Sequence, residues 1–153
     1  MGDGVALADR IAERRAGVGD PGALVGELRR ALVLVPYDRG GLWTAEFGGI
    51  RWVCGFTDEA ALARFAAERA VVDGTGAAER PWEYAAFRGA RLLDEVIPAM
   101  GAPAGVAVNV ADPDGSMLFP PVVGIVPDAV AVDADVPDAR AVRGDARDEG
   151  AGL

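Results

Sequence analysis

Few side chains in this sequence are of the types that do covalent or acid–base chemistry. The 153 residues contain no His, no Lys and no Gln, and they contain a single Cys (Cys54) and a single Ser (Ser116). A nucleophilic thiol or hydroxyl needs a neighbouring base, usually His, or a lowered pKa. The composition therefore excludes His-dependent triads, His metal sites, Lys Schiff bases and phosphate-binding loops that use a Lys.

Two of the remaining nucleophiles occupy positions that favour structural roles. Cys54 alternates with Trp52 and Phe56, which predicts a buried thiol in the apolar stripe of a strand. Thr57 stands directly before two acidic residues, a pattern that predicts the N-cap of a helix. Because the sequence has no His to act as a base for either residue, neither is expected to be a catalytic nucleophile.

Carboxylates offer another route to catalysis, because two acids suffice for general acid–base chemistry. The adjacent pairs Asp58-Glu59 and Asp94-Glu95 point about 100° apart on a helix and stand where capping and surface charges usually stand. Residues 112–115 have the Asp-Pro-Asp-Gly composition of a β-turn and lack the later ligands of a calcium loop. We therefore predict no catalytic, metal-binding or cofactor-binding residue and expect a protein that is not an enzyme.

The chain is strongly acidic, and its charge reduces the number of partner classes to be expected. The formal net charge is −9, and every basic residue is an Arg. Nucleic acids and anionic membranes bind clusters of Lys and Arg, so neither is an expected partner. The single Cys forms no intramolecular disulfide, the N-terminus lacks a signal-peptide pattern, and no apolar run approaches the roughly 18 residues of a membrane span. We expect a cytoplasmic protein that binds another protein and no cofactor.

Aromatic side chains supply a more specific candidate, a surface for contact with another protein. An exposed ring beside an Arg is typical of such surfaces. The candidate contact residues are Tyr37, Arg39, Trp43, Arg51, Trp82 and Tyr84. Because Trp43, Ala45 and Phe47 alternate along one strand, we expect one of its faces to be only partly covered. The alternative, in which the rings only pack a sheet against helices, stays open.

These side chains must be positioned by elements that the hydrophobic periodicity predicts. Helical spacing predicts one helix over residues 3–15 and a second one through residue 30. The second helix is expected to begin with Asp20 as the N-cap and Pro21 at its first position. The continuous apolar run over residues 32–36 predicts a buried strand.

The clearest local signal is a β-hairpin in the middle of the chain. Two aromatic-rich runs, residues 42–47 and 50–56, are joined by Gly48-Gly49, which tolerate the positive φ angles of a tight turn. A helix with Leu62 in its apolar stripe follows. The other predicted elements are a loop over 72–81, a strand over 82–87, a helix over 90–100 and strands over 105–110 and 116–119.

The composition changes after residue 127. From there to the end the chain carries seven acidic residues, three arginines and no large aromatic, which predicts a disordered acidic tail over 128–153. Residues 1–30 are predicted as N-terminal helices, and residues 31–127 as one α+β domain. We expect a mostly antiparallel sheet of about five strands flanked by three to four helices.

The order of several short motifs resembles a known family. These motifs are an apolar strand ending in Pro (32–36), Phe-Thr-Asp-Glu (56–59), Gly-Ala-Arg-Leu-Leu (89–93), Gly-Val-Ala-Val-Asn (105–109) and Leu-Phe-Pro-Pro (118–121). In this order they resemble the SseB N-terminal domain family, named after the enhanced serine sensitivity protein, over residues 30–127. The resemblance implies a small α+β domain and brings no catalytic residue with it.

Three hypotheses of function remain. The leading one is a non-catalytic binding or regulatory module that acts through protein–protein contact. The second is an acidic masking protein, of the immunity-protein or secretion-chaperone kind, for a basic partner. The third is an enzyme that uses carboxylates or Arg alone, which requires a pocket with convergent acids. The sequence leaves the identity of the partner and the oligomeric state open.

Overall fold

Two β-sheets with helices on both sides make up the chain in the computed structural model, which describes residues 2–38, 41–73 and 83–134. The predicted α+β class is confirmed. The helical elements are α1 (Gly2–Arg15), α2 (Pro21–Arg30), α3 (Glu59–Asp73), α4 (Gly89–Arg91), a π-helical segment (Leu92–Val96), α5 (Ile97–Ala99) and a 3₁₀ turn (Asp128–Val130). The strands are β1 (Leu32–Asp38), β2 (Gly41–Leu42), β3 (Thr44–Phe47), β4 (Ile50–Gly55), β5 (Tyr84–Arg88), β6 (Ala104–Val108) and β7 (Met117–Phe119).

The strands are divided between a three-stranded sheet and a four-stranded sheet. Their orders are β2-β1-β5 and β3-β4-β6-β7, and every pair is antiparallel except the parallel pair β4–β6. Leu34 of β1 and Phe56 join the two sheets by reciprocal backbone hydrogen bonds of 2.9 and 2.8 Å. The sequence predicted one sheet, because residue patterns along a strand do not encode which strands become neighbours.

The predicted hairpin is confirmed as β3 and β4. Gly48 and Gly49 form the turn between them with φ angles of 64° and 80°. A two-residue turn with two positive φ angles matches the right-handed twist of the flanking strands, and glycine adopts it at low cost. The alternation along β4 therefore places Trp52 and Cys54 on one face of the sheet and Val53 on the other.

The two N-terminal helices share a core with the strands. Asp20 caps α2 as predicted, since its carboxylate accepts a hydrogen bond of 2.8 Å from the backbone N–H of Ala23. Leu7 and Ile11 of α1 and Leu28 of α2 are fully buried in the same cluster as the strand residues. Helices α1 and α2 therefore contribute side chains to the main hydrophobic core.

Two hydrophobic clusters lie on opposite faces of the four-stranded sheet. The main core packs α1, α2 and the helix over residues 89–99 against one face, where Val53, Val106 and Val108 are completely buried. The smaller core lies under α3 on the other face, where Phe56 and Phe65 are its largest members. The sheet thus forms the middle layer of three.

A buried polar pair corrects the predicted role of Thr57. The N-cap of α3 is Asp58, whose carboxylate accepts a 2.8 Å hydrogen bond from the N–H of Ala61. Thr57 instead donates its backbone N–H to Oδ1 of Asn109 and accepts from Nδ2 of the same side chain, both at 3.1 Å. Asn109 has a φ of 54°, a conformation that Asn tolerates better than most residues. These two hydrogen bonds connect the segments that directly follow the parallel strands β4 and β6.

The helix predicted over residues 90–100 is irregular. Its middle is the π-helical segment, in which the N–H of Ile97 donates to the carbonyl of Leu92, five residues earlier. Pro98 supplies no N–H, and its ring disfavours a regular helical turn before it, so the widened turn absorbs the proline. The arginine–carboxylate pair between Arg29 of α2 and Asp94 holds this segment in place with contacts of 3.1 and 2.7 Å.

Three predicted boundaries shift or fall outside the described residues. Strands predicted over 82–87, 105–110 and 116–119 are observed as β5, β6 and β7 with ends displaced by up to two residues. Helix α3 continues through Asp73, and most of the predicted loop over 72–81 lies outside the described ranges. The described fold extends past residue 127, because Val132 donates its N–H to the carbonyl of Pro121 at 2.8 Å. Residues 135–153 of the predicted tail lie outside the description.

Candidate functional site

An apolar groove of about 250 Å³ lies on the face of the four-stranded sheet that α3 covers only in part. We call it the apolar groove. Side chains of the four strands form its floor and part of its rim: Ala45, Phe47, Trp52, Cys54, Ala107 and Leu118. Its walls are formed by Trp43, Phe65, Arg69 and Val110. Every strand of the sheet therefore contributes to it.

The floor is shaped by the indole ring of Trp52 lying on a glycine. Trp52 of β4 pairs with Gly105 of β6, and a Cβ atom at Gly105 would lie 2.7 Å from the indole and 2.5 Å from the carbonyl oxygen of Phe119. Only glycine leaves room for the ring against the neighbouring strand. The indole N–H donates to the carbonyl of Phe47 at 3.2 Å, which fixes the ring orientation.

The wall on the side of α3 is a cluster of aromatic rings. Phe65 of α3 meets the ring of Trp43 edge-to-face, with centroids 5.4 Å apart and planes at 85°. The same Phe65 ring lies 5.1 Å from that of Phe56 in a tilted arrangement. The edge-to-face contact is a favoured geometry of aromatic pairs, so packing within the protein holds the wall in place. The groove is preformed.

The rim of the apolar groove exposes apolar side chains to solvent. Phe47 is 72% exposed, Leu118 is 49% exposed and Val110 is 38% exposed. A single exposed apolar residue is ordinary on a protein surface, but these three surround one cavity. Contiguous exposed apolar surface around a concave site is typical of a binding surface.

One cation stands in the wall of the groove. The guanidinium carbon of Arg69 lies 5.5 Å from the centroid of the Trp43 ring, a cation–π distance. Arg69 is half-buried on α3 and is the one charged side chain among the described residues that line the cavity. The groove therefore combines aromatic walls with a single positive charge.

Cys54 lies in the floor and is a poor nucleophile. Its side chain is buried, as predicted, and burial raises the pKa of its thiol to about 11. The reactive form of a cysteine is the thiolate, which is scarce at neutral pH when the pKa is this high. Cys54 therefore serves as packing at the bottom of the groove.

The four predicted contact residues within the described ranges do not gather at one place. Trp43 lines the groove, whereas Arg51 lies on the opposite face of the sheet and donates to the hydroxyl of Thr44 at 3.1 Å. Tyr84 packs on the smaller core, and the hydrogen bond that its hydroxyl donates to Glu59 raises its pKa.

Of the other three predicted contact residues, one lies within the described ranges. Tyr37 is exposed at the end of β1, on the same face of that strand as the buried residues Val33 and Val35. Arg39 and Trp82 lie outside the described residues. Of the four members of the set that the structure describes, Trp43 is the one in the lining.

The groove residues that sequence reasoning did not single out come from distant parts of the chain. Leu118 and Val110 belong to β7 and the segment after β6, and Arg69 belongs to α3. The alternation of Trp43, Ala45 and Phe47 did predict a partly covered face, and the rim position of Phe47 agrees with it. No sequence signal marked Arg69, because its role depends on the packing of α3 across the sheet.

Comparison with known proteins adds no relative. Neither a protein-family model, nor a curated protein, nor a solved structure matches this chain. Within the described ranges, no helix is both long and apolar enough to span a bilayer. The same ranges hold no group of three or more acidic or Cys side chains placed to bind a metal ion.

Proposed function

We propose that this protein is a non-catalytic binding module that contacts another protein through the apolar groove. The observation that carries the proposal is the exposed apolar rim of Phe47, Leu118 and Val110 around a preformed cavity. Burying such a rim against a partner gains roughly 25 cal/mol for each Å² removed from water. The membership in the SseB N-terminal domain family that the sequence suggests stays a prediction and is compatible with this function.

The chemistry of the lining favours binding over catalysis. General acid–base catalysis needs a titrating group near neutral pH, and nucleophilic catalysis needs an activated nucleophile. Among the described lining residues, the one candidate is Cys54, and burial raises the pKa of its thiol to about 11. The thiol therefore meets neither requirement.

The size of the groove favours a protein partner over a small-molecule substrate. Its volume of about 250 Å³ falls below the roughly 300–1,000 Å³ of typical ligand pockets. The exposed rim continues the apolar surface beyond the cavity, which suits a partner with surface on both sides of a single anchoring side chain.

A matched pair of variants tests the proposal. The full chain is immobilised, proteins are captured from a lysate of the native cell, and each captured protein is then purified and its affinity measured by calorimetry. The partner is expected to bind the wild type and Val18→Ser, whose side chain is 78% exposed in the loop between α1 and α2. Phe47→Ser should weaken the same binding at least about tenfold.

The salt dependence of binding distinguishes the proposed function from the alternative of an acidic masking protein. A complex that buries an apolar rim should survive raised ionic strength, whereas a basic partner held by exposed charge should be released. A purified partner whose affinity is unchanged by Phe47→Ser and lost in high salt would overturn the proposal in favour of masking.

A further inference from the structure

The hydrogen-bond pattern of β3 directs every second residue of this strand away from the sheet. Among the described strands, β4 is the one neighbour of β3 in the order β3-β4-β6-β7. Arg51 of β4 lies opposite Glu46, but it donates its N–H to the carbonyl of Pro103, on the side of β4 that faces β6. Hydrogen-bonded and non-hydrogen-bonded pairs alternate along an antiparallel ladder. The backbone N–H and C=O groups of Thr44 and Glu46 therefore point outwards from the edge of the sheet.

This outer edge of β3 is open to solvent. Ala45, Glu46 and Phe47 are all exposed, and Phe47 is 72% exposed. Among the described residues, no backbone hydrogen bond joins Thr44 or Glu46 to an element outside the sheet. An edge strand with unpaired backbone groups is a template for another strand unless a Pro, a Lys or a bulge blocks it. The sequence Thr-Ala-Glu-Phe has neither residue, and its register with β4 is continuous.

A second copy of the chain matches this edge in one antiparallel register. With Ala45 opposite Ala45 of the second copy, Thr44 of each copy faces Glu46 of the other. These outward-facing residues then exchange both N–H···O bonds on either side of a two-fold axis. A register centred on Glu46 would place like charges directly opposite each other. A register centred on Thr44 would bring Glu46 opposite Leu42, which belongs to β2.

The charges beside the edge are complementary in the register centred on Ala45. Arg51 donates to the hydroxyl of Thr44 at 3.1 Å and lies 4.0 Å from the carboxylate of Glu46 in the same copy. Because Thr44 of one copy faces Glu46 of the other, Arg51 of each copy also approaches the opposite carboxylate. The interface therefore matches each Glu with an Arg, although each chain carries a formal net charge of −9.

We infer that two copies of the chain pair along β3 in this register and form one continuous sheet. A two-fold axis perpendicular to the sheet keeps both apolar grooves on the same face, with the two Phe47 rings near the junction. The inference goes beyond the proposed function, because the dimer presents two grooves side by side to a partner. Pairing over a single four-residue strand buries little surface, so the dimer is expected to dissociate on dilution.

Cysteine cross-linking tests the register. Ala45→Cys places a thiol opposite its own copy in a non-hydrogen-bonded pair, where the Cα atoms are about 4.5 Å apart and a disulfide can form. Phe47→Cys is the matched control, because position 47 faces Trp43 of the other copy. Under mild oxidation, Ala45→Cys should form a cross-linked dimer at least about tenfold faster than Phe47→Cys. The wild type, in which the buried Cys54 is the one thiol, should not cross-link.

Sedimentation equilibrium of the full chain tests the backbone pairing. The wild type is expected to show a monomer–dimer equilibrium at concentrations up to about 1 mM. Glu46→Pro removes an outward N–H and no hydrogen bond to β4, so this variant should keep the circular dichroism spectrum of the wild type. It should dimerise at least about tenfold more weakly. Glu46→Gln keeps the N–H and removes the charge, and it should weaken the dimer less than Glu46→Pro does.

The same measurements can contradict the inference. A wild type that is monomeric at about 1 mM, or a dimer that Glu46→Pro leaves unchanged, would overturn it. Equal cross-linking rates for Ala45→Cys and Phe47→Cys would overturn it as well. A captured protein that Glu46→Pro releases from a monomeric chain would identify a strand of that protein as the occupant of the edge. These results leave the proposed function to its own test, the effect of Phe47→Ser on the affinity of the captured partner.

Discussion

The two faces of the four-stranded sheet are covered to different extents. On one face Val53, Val106 and Val108 are fully buried beneath three helices. On the other face α3 is the one helix of the described ranges that packs, and Leu118 and Phe47 are exposed at the rim of the groove. One face of this sheet is therefore part of a closed core, and the other face presents an apolar surface to solvent.

The difference follows from the side chains that each face carries. At the middle of the closed face, strands β4 and β6 carry the β-branched residues Val53, Val106 and Val108, which pack against the helices. The groove face alternates large rings with very small residues, such as Trp52 beside Gly105 and Phe47 near Ala45. A large ring next to a small residue leaves a depression that a helix does not fill.

The largest expected effect concerns the contact that closes the first face. A Cβ atom at Gly89 would lie 1.8 Å from the carbonyl oxygen of Leu28, which belongs to the backbone of α2 and cannot move aside alone. Gly89→Ala should lower the free energy of unfolding by about 4 kcal/mol or more in urea denaturation. Gly26→Ala in α2, where the nearest atom is 3.5 Å away, is the control and should stabilise by about 0.5 kcal/mol. Equal midpoints for the two variants would contradict this packing.

Truncation of one side chain on each face compares the two faces directly. Leu28→Ala removes a fully buried side chain from the main core and should lower the free energy of unfolding by about 2–5 kcal/mol. Phe47→Ala removes a larger but exposed ring and should change it by no more than about 0.5 kcal/mol. Urea denaturation followed by circular dichroism measures both. A loss at Phe47 as large as that at Leu28 would show that the rim is a second core.

The parallel pair β4–β6 forms the middle of the sheet, between its two faces. Asn109→Ala removes the acceptor for the N–H of Thr57 and the donor to its hydroxyl, both buried, and should cost about 1–3 kcal/mol in thermal or urea unfolding. Asn109→Gly relieves the backbone strain at a φ of 54° but restores neither hydrogen bond. It should therefore recover only part of the loss, and full recovery would contradict a role for the amide.

A small effect that depends on pH is expected on the outside of the closed face, where Arg29 pairs with Asp94. The hydrogen bonds from Arg29 lower the pKa of Asp94 below its ordinary value. The stabilisation is therefore present above the pKa of Asp94 in the unfolded chain and is lost as pH falls through its pKa in the folded protein. Because both side chains are about 40% exposed, Asp94→Asn should cost less than about 1 kcal/mol at neutral pH. The difference in the free energy of unfolding between Asp94→Asn and the wild type should disappear at acidic pH. A difference that increases as pH falls would contradict a stabilising ion pair.

Local elements were predictable where a few neighbouring residues decide them. Gly48 and Gly49 determine the hairpin turn, and Asp20 caps α2, because both depend on backbone angles and hydrogen bonds within a few residues. Thr57 shows the limit of this reasoning. Its sequence neighbours are typical of an N-cap. However, Thr57 is hydrogen-bonded to Asn109, 52 positions away, and Asp58 is the N-cap of α3.

The candidate site was predictable only in its class. Alternation along β3 indicated a partly covered face with Trp43 and Phe47, and this face does carry the groove. The pairing of aromatic residues with nearby arginines in sequence brought in Arg51, which the strand register places on the opposite face. The arginine that does stand in the groove, Arg69, comes from a helix whose position over the sheet is a tertiary contact.

The sequence by itself determined the chemical repertoire, the α+β class and the local elements. These depend on which side chains exist and on backbone preferences within a few residues. The tertiary structure alone decided the division into two sheets, the parallel pair β4–β6 and the gathering of Phe47, Arg69 and Leu118 around one groove. Such contacts join residues far apart along the chain, and their free energy comes from apolar surface buried between elements, which no local pattern records.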